Sequence, residues 1–111
     1  MVVFEMQGAV GVVRPKGPID LTQGAELKET ALGGVGRGRP MVVVDFHEVP
    51  LVDGAGLESL IELRDLLESR GGAVKLASLN SLCTDIFRVT GVGQKFEQYP
   101  QVRSAVGSFA E

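Results

Sequence analysis

Residues 41–46 read Met41-Val42-Val43-Val44-Asp45-Phe46. A strand wetted on one face alternates apolar and polar residues, and consecutive valines do not alternate. Such a β-branched run needs cover on both faces, which suits the central strand of a layered sheet. The next residues narrow the choice further. After Pro50 and a short Leu51-Val52 piece come Asp53-Gly54-Ala55-Gly56, and then apolar residues at 57, 60, 61, 63, 66 and 67. That spacing is helical, and Glu58, Glu62, Arg64, Asp65 and Glu68 fill the opposite face. Gly71-Gly72 closes the helix.

The rest of the chain repeats this rhythm. Val2 to Met6 and Ala9 to Val13 read as two strands around a turn at Gly8, hence a hairpin. Pro15, Gly17 and Pro18 interrupt the pattern. Asp20 or Thr22 then caps a short helix with Ala25, Leu27, Ala31 and Leu32 on its apolar side. Gln23, three residues after Asp20, loosely resembles a capping box. Gly33 to Pro40 is too glycine-rich for either period and is expected to be a mobile loop. Ala73 to Ala77 is a further strand. Ser78 and Asn80 are turn or cap residues. Leu82, Ile86, Phe87 and Val89 mark a helix ended by Gly91, Phe96 to Tyr99 a short last strand, and Val102 to Phe109 a terminal helix. Two successive strand–helix–strand crossovers require parallel strands. The expected fold is therefore α/β: one domain over residues 1–111, with a mixed, largely parallel central sheet, an N-terminal β-hairpin and about four helices.

Composition excludes several functions. The formal charge is −3, and no cluster of Lys and Arg offers the footprint of a nucleic-acid binder. Cys83 is the only cysteine and His47 the only histidine, so neither a disulfide nor a zinc cage can form within the chain. No apolar run approaches the ~20 residues that span a bilayer. These readings lead to the expectation of a soluble, cytoplasmic protein with no metal and no cofactor.

The junction at residues 53–56 lies at a carboxyl end of the sheet, where α/β folds gather ligand and partner sites. Small residues there leave the backbone bare, open to an anion or a partner at close range. They carry no hydroxyl, thiol or imidazole. Asp53 reads as a helix cap, a partner contact, or both. Gly54 and Gly56 serve either partner approach or a positive φ in a tight turn. Asp45 is held by backbone or loop donors, and Cys83 by packing. Gly34-Val35-Gly36-Arg37-Gly38 is a poor nucleotide loop, because it precedes a strand and lacks a Gly-Lys-Ser/Thr ending.

Taken in order, these residues resemble the STAS domain of bacterial anti-sigma factor antagonists, found also on anion transporters. The likeness rests on Val42 to Phe46, Val52-Asp53, two small residues, and Gly56-Leu57. Gly17-Pro18-Ile19-Asp20 upstream matches the family's turn after the second strand, and Gly71 to Ala77, Leu82 to Val92 and Phe96 match downstream. The family's segment usually reads Asp-Ser-Ser/Thr-Gly-Leu, and a cognate anti-sigma kinase phosphorylates its first hydroxyl to release the partner. Gly54 stands at that phosphoacceptor position and Ala55 at the next, so the resemblance implies a frame without its switch. Ser59, about one turn into the helix, is not expected to substitute.

The resemblance implies a non-catalytic protein-interaction module that regulates transcription by binding a kinase-like anti-sigma factor. The implied contacts are Asp20, Thr22, Asp53, Gly54, Ala55, Gly56, Leu57 and Glu58, with no direct membrane insertion and a homodimer left open. Two other functions stay open beside it. One is a structural STAS subunit of a lipid-transport ATPase complex or a stress-signalling scaffold. The other is a nucleotide-binding regulator, against which stands the want of any recognisable nucleophile–base pairing.

Overall fold

The structure is a computed structural model that describes residues 1–36 and 38–110. Arg37, a member of the glycine-rich stretch, and Glu111, the last residue assigned to the domain, lie outside the described residues. The strands are β1 (Val2–Gln7), β2 (Val10–Pro15), β3 (Met41–Asp45), β4 (Ala73–Ala77) and β5 (Glu97–Tyr99). The helices are α1 (Leu21–Gly34), α2 (Gly54–Glu68), α3 (Ser81–Thr90) and α4 (Val102–Ser108), with a 3-10 turn at Val92–Lys95.

The five strands lie side by side in the order β1-β2-β3-β4-β5. β1 and β2 form the expected hairpin, antiparallel from Val2↔Pro15 to Gln7↔Val10. Its two-residue turn places Gly8 at φ 62°, a conformation that glycine adopts at little cost. Every other pair is parallel: Val12 faces Val43, Val43 faces Lys75, and Lys75 faces Glu97.

The valine run sits at the middle of this sheet, covered on both sides. Val42 and Val44 pack into the larger core with Leu27 of α1, Leu60, Leu63 and Leu67 of α2, and Phe87 of α3. Val43 points the other way, into a smaller core with Val12, Ala77 and Ala105 of α4. Each fully buried leucine of α2 contributes about 1.5–3 kcal/mol relative to exposure. The smaller core holds one buried cation. Lys75 Nζ donates to Ser108 Oγ at 2.7 Å and lies 4.2 Å from the centroid of the Phe109 ring, which fastens α4 to the sheet.

Several local expectations change. α1 runs through Gly33 and Gly34, so the connection to β3 is shorter than the glycines suggest. A side chain at Gly34 would meet the Phe4 ring at 2.5 Å; glycine lets β1 close onto the helix end. In α1, Ala25 is exposed and Gly24 is buried. In α3, Cys83 and Phe87 face the core, whereas Leu82 and Val89 face outward. Leu66 of α2 is likewise largely exposed.

Candidate functional site

β2, β3 and β4 point the same way, so the segments after them share one end of the sheet. There the connections after β2 and β3 meet. Ile19 and Val52 form a parallel bridge, the Ile19 N–H donates to the Leu51 carbonyl at 3.1 Å, and the Asp53 N–H donates to the Ile19 carbonyl at 3.2 Å. Both apolar members of the bridge are buried, which turns their neighbours Asp20, Leu51 and Asp53 outward.

Each aspartate caps the helix next to it. Asp20 Oδ1 accepts the Gln23 N–H at 2.8 Å, and Asp53 Oδ1 accepts the Gly56 N–H at 2.8 Å. Asp20, not Thr22, is therefore the cap of α1, and each cap contributes about 1 kcal/mol. The carboxylates also complement the positive ends of two helix dipoles that lie next to each other.

The two helices approach closely because they meet on small residues. A Cβ on Gly24 would lie 2.3 Å from Ser59 Oγ and 3.9 Å from the Cα of Gly56. A Cβ on Gly56 would lie 2.0 Å from the Ile19 carbonyl oxygen. Gly54 is the opposite case: an added Cβ meets nothing within 4 Å. Neither Gly54 nor Gly56 has a positive φ, so the tight-turn reading of these glycines is wrong for both. Gly56 is there for close packing. Gly54 opens onto free space at the first turn of α2.

The structure thus brings Asp20 together with residues 53–57. Asp53, Gly54 and Glu58 are exposed, Ala55 is half-buried, and Leu57 packs into the core. Thr22 is exposed on the first turn of α1, beside Asp20. Ser59 is buried against Gly24 and faces the helix crossing, away from solvent.

Gln23 does more than its sequence position suggested. Its side-chain amide does not close a capping box; Nε2 donates to the carbonyls of Lys16, Gly17 and Pro18 at 2.9–3.1 Å. A buried amide gathering three carbonyls holds the connection that presents Asp20. An interior helical glycine at 24 was the one sequence sign of the close helix crossing, since it has no turn to make.

The remaining candidates are structural. Asp45 Oδ1 accepts the His47 N–H at 3.0 Å, and its Oδ2 accepts from Arg14 Nε at 3.1 Å. His47 is exposed. Cys83 is buried with its sulfur 3.7 Å from the Val49 carbonyl, and burial pushes its thiol pKa up, away from a reactive thiolate. Among the described residues no group of three or more His, Cys, Asp or Glu is placed to hold a metal ion. Nor is any helix among them long and apolar enough to cross a membrane.

No curated protein matches the chain. Solved structures do, at identities that speak to the fold alone. An anti-sigma factor antagonist from Mycobacterium paratuberculosis is 22% identical over 100% of this chain and 94% of its own, with a TM-score of 0.85. The Bacillus cell fate determinant SpoIIAA in its phosphorylated form is 16% identical over 98% and 99%, at 0.70. The murine Solute Carrier 26 family member A9 anion transporter is 18% identical over 92% of this chain but 18% of its own, at 0.78. The family model of the STAS domain matches residues 1–105. The chain belongs to the STAS domain family.

Proposed function

We propose that this protein is a non-catalytic interaction module that binds a kinase-like anti-sigma factor and so regulates transcription. Its contacts are Asp20, Thr22 and the accessible members of the junction, Asp53, Gly54, Ala55 and Glu58; Gly56 and Leu57, which the resemblance also implied, are buried and hold the frame from within. Glycine at position 54 carries the reading: the capped, close-packed frame around it is complete, while the hydroxyl that a kinase would modify is missing. A phosphoryl group would add about −1.5 to −2 charges at a helix start that also carries Asp53. Without an acceptor there, the complex is governed by the amounts of the two proteins instead of by release on phosphorylation. Titration calorimetry against kinase-fold anti-sigma proteins of the same genome, with and without ATP, tests this. Saturable binding unaffected by ATP, with no phosphate incorporated, is expected. Phosphorylation of the native chain, or no binding to any of them, refutes it.

Gly54 also suits a second reading, a constitutive structural STAS subunit of a transport or stress-signalling assembly, which needs no switch. Co-purification with an ATPase subunit, in place of a kinase-fold protein, favours that reading.

A further inference from the structure

Three leucines stand exposed around the capped helix starts: Leu21 at 69%, Leu51 at 41% and Leu82 at 51% relative exposure. They come after β2, β3 and β4, three adjacent parallel strands, so they line one end of the sheet. Hydrogen bonds tie the segments that bear them. Ile19, two residues before Leu21, donates its N–H to the Leu51 carbonyl at 3.1 Å. Asn80, two residues before Leu82, donates its side-chain amide to the Pro50 carbonyl at 3.2 Å. Leu51 is thus the middle of a row whose backbone is held at both ends. Exposed leucines are ordinary when scattered; three on the segments that leave adjacent strands at one end of the sheet, tied to one another by hydrogen bonds, form a patch.

The charge beside the patch says what can cover it. Asp20, Asp53 and Glu58 are exposed and stand in no ion pair among the described residues. Each of these exposed aspartates spends Oδ1 on its helix cap, which leaves its Oδ2 for a partner. A second copy docked face to face would set these acids against themselves. An anionic membrane or a nucleic acid would be repelled as well. The complement is a protein surface with aliphatic pockets rimmed by Lys and Arg.

We infer that Leu21, Leu51 and Leu82 are the apolar anchors of the partner interface, which extends past α2 onto the start of α3. The inference rests on the proposed function and deepens it. Leu51→Ser and Leu82→Ser test it, with Leu66→Ser as control, since Leu66 is 46% exposed on the flank of α2. Both positions are at the surface, and a thermal melt of each variant establishes that it is folded before binding is measured. Calorimetry uses a purified kinase-like anti-sigma protein that binds the wild type. Each anchor variant is expected to lose about tenfold in affinity, more than most interface residues lose on truncation, while the control stays within about twofold. Raising salt is expected to weaken the wild-type complex. Anchor variants that bind like the control overturn the inference and leave the proposed function standing.

If no kinase-like protein binds the wild type, the proposed function fails and the patch is judged separately. A photo-crosslinking residue is placed at 51, 82 or 66 in the cells that make the protein. One common adduct from 51 and 82, absent from 66, identified and shown in purified form to bind salt-dependently and to lose affinity with Leu51→Ser, supports the patch. Adducts with a second copy of this chain, adducts equal at all three positions, or none, overturn it.

Discussion

Two glycines two residues apart, Gly54 and Gly56, are predicted to respond in opposite directions to the same substitution. In Gly56→Ala the new Cβ falls 2.0 Å from the Ile19 carbonyl oxygen, 2.8 Å from the Ile19 carbonyl carbon and 2.9 Å from Val52 Cγ1. Carbon–oxygen contacts settle near ~3.3 Å, so α2 and the Ile19 backbone must separate by about 1.3 Å. No side chain can rotate away, because the obstacle is backbone. The same carbonyl accepts the Asp53 N–H at 3.2 Å, and that bond stretches as the gap opens. Overpacking costs about 1–3 kcal/mol. Loss of the hydrogen bond adds about 1 kcal/mol. The better helix propensity of alanine returns at most about 1 kcal/mol. The net is a destabilisation of about 1–3 kcal/mol, or roughly 5–15 °C in Tm for a chain of this size. In Gly54→Ala the Cβ meets nothing within 4 Å, φ is not positive, and alanine narrows the unfolded ensemble. A gain of a few tenths to about 1 kcal/mol is expected. Thermal and urea unfolding of both variants, monitored by circular dichroism, measures the difference. Equal midpoints, or a stabilised Gly56→Ala, would refute the assignment of Gly56 to close packing and of Gly54 to open space.

Gly54→Ser is expected to fold at least as well as the native chain and to take up phosphate from a kinase that binds it, read by intact mass; a folded variant that binds but stays unmodified argues against position 54 as the switch. Asp53→Ala should lower stability by about 1 kcal/mol through loss of the α2 cap, as urea titration will show. Gln23→Leu keeps the volume but leaves the carbonyls of Lys16, Gly17 and Pro18 without their donor, for a loss of about 1–3 kcal/mol and faster amide exchange around Asp20. Cys83, buried and with its thiol pKa raised, should resist an aromatic disulfide reagent at pH 8 until the chain unfolds; rapid labelling of the folded protein contradicts its place in the core.

The fold was legible in the sequence wherever periodicity carries information. Unbroken valines at 42–44 suit a strand covered on both faces, and with the two strand–helix–strand crossovers they made the sheet and its parallel centre readable from the residues alone. Periodicity is silent about which apolar side of a short helix wins. α3 has two candidate stripes, Cys83–Phe87 and Leu82–Ile86–Val89; the tertiary contact of Phe87 with Phe46 and Phe96 chose the first and left Leu82 at the surface. Glycine is ambiguous for a deeper reason. The letter records the absence of a Cβ and not the object that excludes it. At 34 that object is the ring of Phe4, at 24 the side chain of Ser59, at 56 the Ile19 carbonyl, and at 54 nothing at all. Only the fold, by bringing residue 19 against residue 56, separates a glycine that architecture requires from one that leaves room for a side chain. That distinction bears on function. Since no packing contact demands glycine at 54, the missing hydroxyl is not a structural necessity, and a serine would be accommodated in the same frame.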